Sequence, residues 1–245
     1  MTFSRSAISC LLPFFGIFVQ FSLLAQEVDN LEDWSSKPVS VTTDDSDQPP
    51  SDAIILFAGE GLDEWQHADK SAAKWNVTDG ILEIVPGTGN LRTKQAFGDV
   101  QLHVEWMIPT SDYGTGNSGI YLQGRYEVQI FNSYQDEEKI YYNGQTGSIY
   151  KQSKPLINAS KPKGQWEVFD IIFRAPRFSN DGTLESPAVL TVFHNGLLIQ
   201  DHFELVGITT HQPKTAYKPH DSKQPLMIQD HGDKVRFRNI WIREL

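Results

Sequence analysis

Val100-Gln101-Leu102-His103-Val104-Glu105-Trp106 places an apolar side chain at every second position. Successive side chains of an extended chain point to opposite faces, so Val100, Leu102, Val104 and Trp106 share one face and Gln101, His103 and Glu105 the other. A period of two marks a strand with one side against a core. The same signal recurs outward from this stretch, at 80–85, 119–123, 126–131, 168–174, 188–194 and 235–243. Asp79-Gly80 and Asn195-Gly196 are turn pairs, and the second joins Val189–His194 to a further strand at Leu197–Gln200. No stretch past residue 50 sustains a helical apolar stripe over twelve residues. The expected fold is all-β, an antiparallel β-sandwich or jelly roll formed by one domain over residues 53–245.

The flanking sequence sets expectations about compartment. Arg5, an apolar run from Ile8 to Leu24 and the small residue Ala25 follow the layout of a secretory signal peptide over 1–25. The run is short for a spanning helix and contains Pro13, so no stable membrane insertion is expected once it is cleaved. Residues 26–52 carry Glu27, Asp29, Glu32, Asp33, Asp44, Asp45 and Asp47 and end near Pro49-Pro50, a composition expected of a disordered linker. An exported protein, periplasmic or extracellular, is the expectation. The one cysteine, Cys10, lies in the leader, so the domain has neither a disulfide nor a thiolate nucleophile. Twenty-one basic against 31 acidic residues give a net charge of −10 with no basic stripe, which argues against a nucleic acid partner.

The chemistry-bearing residues concentrate in two places. In Tyr126-Glu127-Val128-Gln129-Ile130, Glu127 and Gln129 fall on the face opposite Tyr126, Val128 and Ile130. The preceding strand alternates likewise, with Ile120 and Leu122 inward and Tyr121 and Gln123 outward, and Gly124-Arg125 is read as the turn between them. Pairing of the two strands would crowd Tyr121, Gln123, Glu127 and Gln129 on one patch. Donors, acceptors, one carboxylate and an aromatic ring suit a sugar, although a solvated polar sheet face gives the same pattern. The second place is Gln229-Asp230-His231-Gly232, where His231 beside Asp230 is a candidate acid/base or metal ligand, or a plain loop histidine. His220, in a Pro-His-Asp loop, is a further candidate for the wall of a site. No His-Glu-x-x-His, Gly-x-Ser-x-Gly or phosphate-loop pattern is present. Only one carboxylate stands on the Glu127 strand, which does not suit hydrolysis by a carboxylate pair.

Several stretches, in order, carry a family resemblance: Leu56-Phe57-Ala58-Gly59 with Trp65, Trp75-Asn76-Val77-Thr78-Asp79-Gly80, Asn117-Ser118-Gly119-Ile120-Tyr121-Leu122, Tyr126-Glu127-Val128-Gln129-Ile130, Thr146-Gly147-Ser148-Ile149-Tyr150, Gly164-Gln165-Trp166, Pro225-Leu226-Met227-Ile228-Gln229-Asp230-His231-Gly232 and Val235-Arg236-Phe237-Arg238-Asn239-Ile240. With them the chain resembles the 3-keto-disaccharide hydrolase family over about 53–245. The resemblance implies a concanavalin A-like jelly roll and a hydrolase acting on 3-keto-glycosides. It implies Glu127 and His231 as catalytic residues, with Asn117, Tyr121, Gln123, Gln129, Gln229 and Asp230 around a carbohydrate substrate. A divalent metal ion stays open, with Glu127 and His231 as its candidate ligands. Three departures stand out: Asn132 where an acidic residue is frequent, Ser148 where Cys or Ala is frequent, and Ala58 where Asn is common. The first would remove an acid or metal-binding group. A ketone at C3 acidifies the C2 proton, so one base and one electrophile suffice to expel the C1 substituent by elimination, with water adding afterwards. A non-catalytic carbohydrate-binding module and an envelope scaffold remain alternatives, because a fold does not fix a function.

Overall fold

A computed structural model describes residues 37–42, 48–111, 114–212 and 215–245. The expected leader, and the linker apart from 37–42 and 48–52, lie outside the described residues. The chain separates into a segment ending at Ser40 and a body from Val41 to Leu245, and the body carries the fold. Among the described residues no helix is long and apolar enough to cross a membrane.

Fifteen strands are present among the described residues. The first seven are β1 (Ile54–Phe57), β2 (Trp65–Gln66), β3 (Asn76–Thr78), β4 (Ile81–Glu83), β5 (Leu91–Phe97), β6 (Val100–Met107) and β7 (Ser118–Leu122). Then follow β8 (Tyr126–Ile130), β9 (Glu167–Arg174), β10 (Arg177–Phe178), β11 (Leu184–Ser186), β12 (Val189–His194), β13 (Leu197–Glu204), β14 (Gln224–Ile228) and β15 (Arg236–Glu244). The larger sheet runs β13-β12-β9-β6-β15-β4-β3, with β1 also on β15, and the second runs β2-β5-β14-β7-β8. Both are antiparallel throughout, which makes the molecule the all-β sandwich its periodicity predicts. Val100, Leu102, Val104 and Trp106 of β6 and Ile120, Leu122, Tyr126, Val128 and Ile130 of β7 and β8 belong to one buried apolar cluster. Asn195 and Gly196 both adopt left-handed φ (52° and 79°), the conformation that a two-residue hairpin between right-twisted strands requires.

Two strands of the smaller sheet carry no clean period-two signal. In β5, Leu91 and Thr93 are buried, but Lys94 and Gln95 stand side by side in solvent and break the alternation. β14 contains Pro225, which cannot donate to a ladder. The pairing with β5 shifts register between Pro225 and Met227, and there the Leu226 N–H is taken by the Thr93 hydroxyl (3.0 Å).

The outer edge of β8 is covered by two loops. Gln129 N donates to Ser148 O (3.0 Å) and Gly147 N to Gln129 O (2.8 Å), so 147–148 runs alongside β8. Farther along, Thr209 Oγ1 accepts from Glu127 N (3.0 Å) and Thr209 N donates to Arg125 O (3.0 Å). Both loops therefore end beside the same stretch of β8.

Candidate active site

The register Tyr121↔Glu127 and Gly119↔Gln129 places these side chains on the face of the smaller sheet turned away from the core. Met227 pairs with Tyr121 from β14 on the other side, and Gln229 follows at its end. The two edge loops add Tyr150, Thr210 and His211, and the loops at 117 and 231 add Asn117 and His231. Together Asn117, Tyr121, Glu127, Gln129, Tyr150, Thr210, His211, Gln229 and His231 line a pocket of about 260 Å³. Glu127 is the one carboxylate among these lining residues.

Glu127 is 4 % exposed and sits at the floor of the pocket. Its carboxylate lies over Gly119, where an added Cβ would come within 2.3 Å of Oε1. The glycine of Asn117-Ser118-Gly119 is there to make room for the acid. Tyr121 donates its hydroxyl to Glu127 and receives Gln229 Nε2 (3.2 Å). The Gln129 amide nitrogen, placed where its surroundings offer acceptors, donates to Ser118 O (2.6 Å) and Glu127 Oε1 (3.2 Å). Removal from water disfavours the charged carboxylate, and this outweighs the Tyr121 hydrogen bond and pushes Glu127 up to about 8. Burial also raises the Tyr121 hydroxyl, and the Glu127 charge adds to that, so Tyr121 keeps its proton at neutral pH. Tyr150 is raised as well, by burial and by its hydroxyl contact with Tyr141. His211 Nδ1 lies 3.3 Å from the Tyr150 hydroxyl.

The geometry also separates residues that sequence reasoning had grouped. Gln123 lies outside the pocket. It occupies the β7–β8 turn in a left-handed conformation (φ 53°), beside Gly124 (φ 62°), so it no longer follows the alternation of the strand. Its Nε2 donates to Phe97 O (3.1 Å) and Ser222 O (2.7 Å). Asp230 is not a lining residue either. Its carboxylate accepts from Gly89 N (2.9 Å) and Gly232 N (3.0 Å), so it fixes the loop that presents His231. Asp233 does the same for the facing loop, accepting Thr115 Oγ1 (2.9 Å) and Asn117 N (2.8 Å). His220 accompanies Tyr126 (2.9 Å to its hydroxyl) and is absent from the pocket lining. Asn132, whose identity raised doubt about a lost acid, is buried with Nδ2 3.3 Å from Glu137 Oε2 and does not line the pocket. Among the described residues no three His, Cys, Asp or Glu side chains converge as a metal-binding group.

Gly119→Ala tests the packing of the acid. The new methyl group must displace the end of a side chain, not backbone, so the fold is expected to stand while the carboxylate moves. A misplacement of about 1 Å lowers turnover on the order of tenfold to a hundredfold. Steady-state kinetics alongside a thermal melt would separate the two effects, and an unchanged rate would show that the carboxylate position is not critical.

A two-sheet antiparallel sandwich of this kind is the jelly-roll architecture, which lectin and viral capsid domains share and which does not by itself assign a function. The model of the family described as the 3-keto-alpha-glucoside-1,2-lyase-like domain matches residues 52–243, and the chain belongs to that family. Its structure is similar to a candidate glycosyl hydrolase from Parabacteroides distasonis, at 43% identity over 88% of this chain and 95% of that one, with a TM-score of 0.83. A second candidate glycosyl hydrolase from the same organism, 22% identical over 79% of this chain and 94% of its own, has a TM-score of 0.57 and shares the fold. Among functionally curated proteins nothing matches. Family and relatives support a carbohydrate-active role for this chain.

Proposed function

We propose that this protein is an exported enzyme that cleaves 3-keto-glycosides by elimination followed by hydration. The observation that carries the reading is that Glu127, the one carboxylate lining the pocket, is held near a pKa of about 8 by burial at the floor of a site otherwise lined by neutral donors and two histidines. A carboxylate in that range is a strong enough base to take a proton from carbon next to a ketone, and it is ionised in a useful fraction near neutral pH. Hydrolysis by two opposed carboxylates would need a second acid, which the lining residues do not provide.

In the proposed sequence the ionised Glu127 removes the C2 proton, and the electron pair passes to the C3 oxygen as an enolate. His231 donates a hydrogen bond to that oxygen. The enolate reforms the ketone as the C1–O bond breaks, leaving a C1=C2 double bond, and the departing oxygen takes a proton from the Tyr150–His211 pair. Water then adds, giving its hydroxyl to C1 and its remaining proton back to the Tyr150–His211 pair, while Glu127, its proton exchanged with solvent, protonates C2 to give the free 3-keto sugar and the ionised base. Tyr121 and Gln129 hold the carboxylate, and Asn117 and Gln229 position sugar hydroxyls. The leader-like sequence at 1–25 supports the exported part of the reading.

The direct test is release of the leaving group from a synthetic 3-keto-glucoside and from the same glucoside with C3 unoxidised. Cleavage of the first alone is expected, and equal inactivity on both would remove the reading. Because the base must be ionised, kcat/KM is expected to rise with pH and level off above about 8, the folded pKa of Glu127. A rising limb centred near 4 to 5 would point to a solvated carboxylate in its place.

A further inference from the structure

Two strands away from the pocket, the same sheet face carries a cation that the proposed steps do not use. Arg92 of β5 pairs with Met227 of β14, which pairs in turn with Tyr121 opposite Glu127. Side chains at paired positions share a face, so Arg92 stands in one row with Glu127, three strand spacings or about 14 Å along the sheet. Arg92 is half-buried, and its Nε is shut off from solvent with no hydrogen-bond partner among the described residues. Buried polar groups are nearly always bonded, so an orphaned guanidinium nitrogen points to a missing acceptor. Arg92 borders a hollow of about 290 Å³, together with His67, Asp69, Lys74, Gly89 and Asn90, and this hollow shares no lining residue with the pocket over Glu127. Its walls are fixed by bonds of their own. His67 Nε2 accepts Lys74 N (3.1 Å) and Nδ1 donates to Asn90 O (3.1 Å), so both ring nitrogens are engaged. Gly89 N donates to Asp230 Oδ2 (2.9 Å), Asp230 N to Asn90 Oδ1 (2.9 Å) and Asn90 Nδ2 to Met227 Sδ (3.4 Å).

We infer that this hollow is an oxyanion site, taking a sulfate or phosphate group on the Arg92 guanidinium with Lys74 at its mouth. The inference does not rest on the catalytic reading. A guanidinium presents paired N–H donors that match two oxygens of one anion, and Nε is one donor of such a pair. Lys74 is exposed and adds a second positive charge at the rim. Asp69 is the one acid among the lining residues. Ser71 donates to its Oδ1 through both Oγ (2.6 Å) and N (2.9 Å), and these bonds hold the Asp69 carboxyl below its ordinary range. Asp69 therefore opposes a bound anion, but Arg92 and Lys74 outnumber it. In a chain with a net charge of −10, an excess of cations around one hollow directs an anion there and away from the rest of the surface.

The test titrates the protein by calorimetry with sodium sulfate and with glucose 6-sulfate, at an ionic strength held fixed with sodium chloride, and with glucose to register any binding of the sugar alone. Saturable binding of sulfate is expected. An ester that binds no tighter than sulfate assigns the hollow to a free ion, and an ester that binds tighter than both sulfate and glucose assigns it to an anionic group carried on a glycan. Arg92→Met keeps the aliphatic stem and removes the guanidinium, and is expected to weaken both anions about tenfold or more. Lys74→Gln, at an exposed position, is expected to weaken them about threefold. Melting curves separate binding from a structural role. Because the guanidinium lacks a partner, Arg92→Met in sulfate-free buffer is expected to melt no lower than wild type, and to lose the rise in Tm that sulfate gives wild type. Wild type that binds neither anion, or binds the ester only as it binds glucose, would overturn the site. So would an Arg92→Met protein that keeps wild-type affinity for sulfate, or one that melts well below wild type without it.

Discussion

Glu127→Gln is expected to abolish turnover and, at alkaline pH, to make the protein more stable. The amide is nearly isosteric with the acid, so Gly119 still accommodates it and Tyr121 still has an oxygen to bond. The carboxylate as a proton acceptor is lost, and removal of a general base lowers the rate by roughly 10²- to 10⁴-fold, about 3 to 5 kcal/mol in barrier. The stability effect follows from the same burial. In the unfolded chain the carboxyl titrates at the ordinary glutamate value of 4.5, and in the folded protein burial moves it to about 8. Between those limits the folded state holds a proton that the unfolded state has released, so stability falls as pH rises through the window from about 4.5 to 8. Below the window both states are protonated and nothing is lost; above it the full desolvation penalty is present. Glutamine does not titrate, so the variant is expected to melt with wild type at pH 4 and above it at pH 9. Melting curves at the two pH values check this, and a variant that loses activity without that divergence would have lost it for another reason.

His194→Ala is expected to cost the fold about 3 to 5 kcal/mol, the range for stripping the partner from a buried carboxylate. His194 and Glu167 are joined across the larger sheet (2.7 Å) with side chains 1 % and 4 % exposed. Glu167 Oε2 also accepts Lys161 N (3.0 Å) and Asn195 Nδ2 (3.2 Å), which ties the β12–β13 turn to the approach to β9. The histidine ring fills space between Trp106 and Phe169, with centroids 5.8 and 4.9 Å away. Alanine therefore opens a cavity and strands the acid together. For a domain of this size the melting temperature is expected to fall by roughly 6–20 °C. Glu167→Gln keeps an oxygen for Lys161 N and is expected to cost less than half as much. Neither pair member touches the pocket, so kcat measured well below the melting temperature is expected to be unchanged. A His194→Ala protein that melts with wild type would show the pair to be dispensable.

The contrast between the two sheets explains how far the sequence could be read. β6, β9 and β12 each have one face in the core and the other turned outward, and their alternation is legible residue by residue, whereas β15 breaks it at the irregularity between Arg238 and Trp241. β5 and β14 are stitched into the smaller sheet by long-range pairing around exposed Lys94-Gln95 and around Pro225, and local pattern does not report such pairing. The same distinction runs through the site. Tyr121, Glu127 and Gln129 were visible as the polar face of two alternating strands. Gln123 shows where that logic stops, because one left-handed residue at a strand end takes the side chain off the shared face. Tyr150, Thr210 and His211 reach the pocket only because their loops cover the edge of β8, through Ser148 O and Thr209 Oγ1, and nothing in their local spacing announces it. Tyr150 does belong to Thr146-Gly147-Ser148-Ile149-Tyr150, one of the stretches that carry the family resemblance, and that is the signal the sequence offers for it.

The claim that Glu127 takes a proton from C2 is tested most directly by cleaving a 3-keto-glycoside in D₂O and reading the C2 position of the released sugar by NMR at early times, against the same sugar incubated without enzyme. Elimination removes the C2 hydrogen and hydration returns one from solvent. The wild-type product is therefore expected to carry deuterium at C2 from the first turnovers, above the enzyme-free background, and Glu127→Gln is expected to yield neither product nor exchange. A product that forms at the wild-type rate with its original C2 hydrogen in place would mean direct substitution at C1, and would contradict the account.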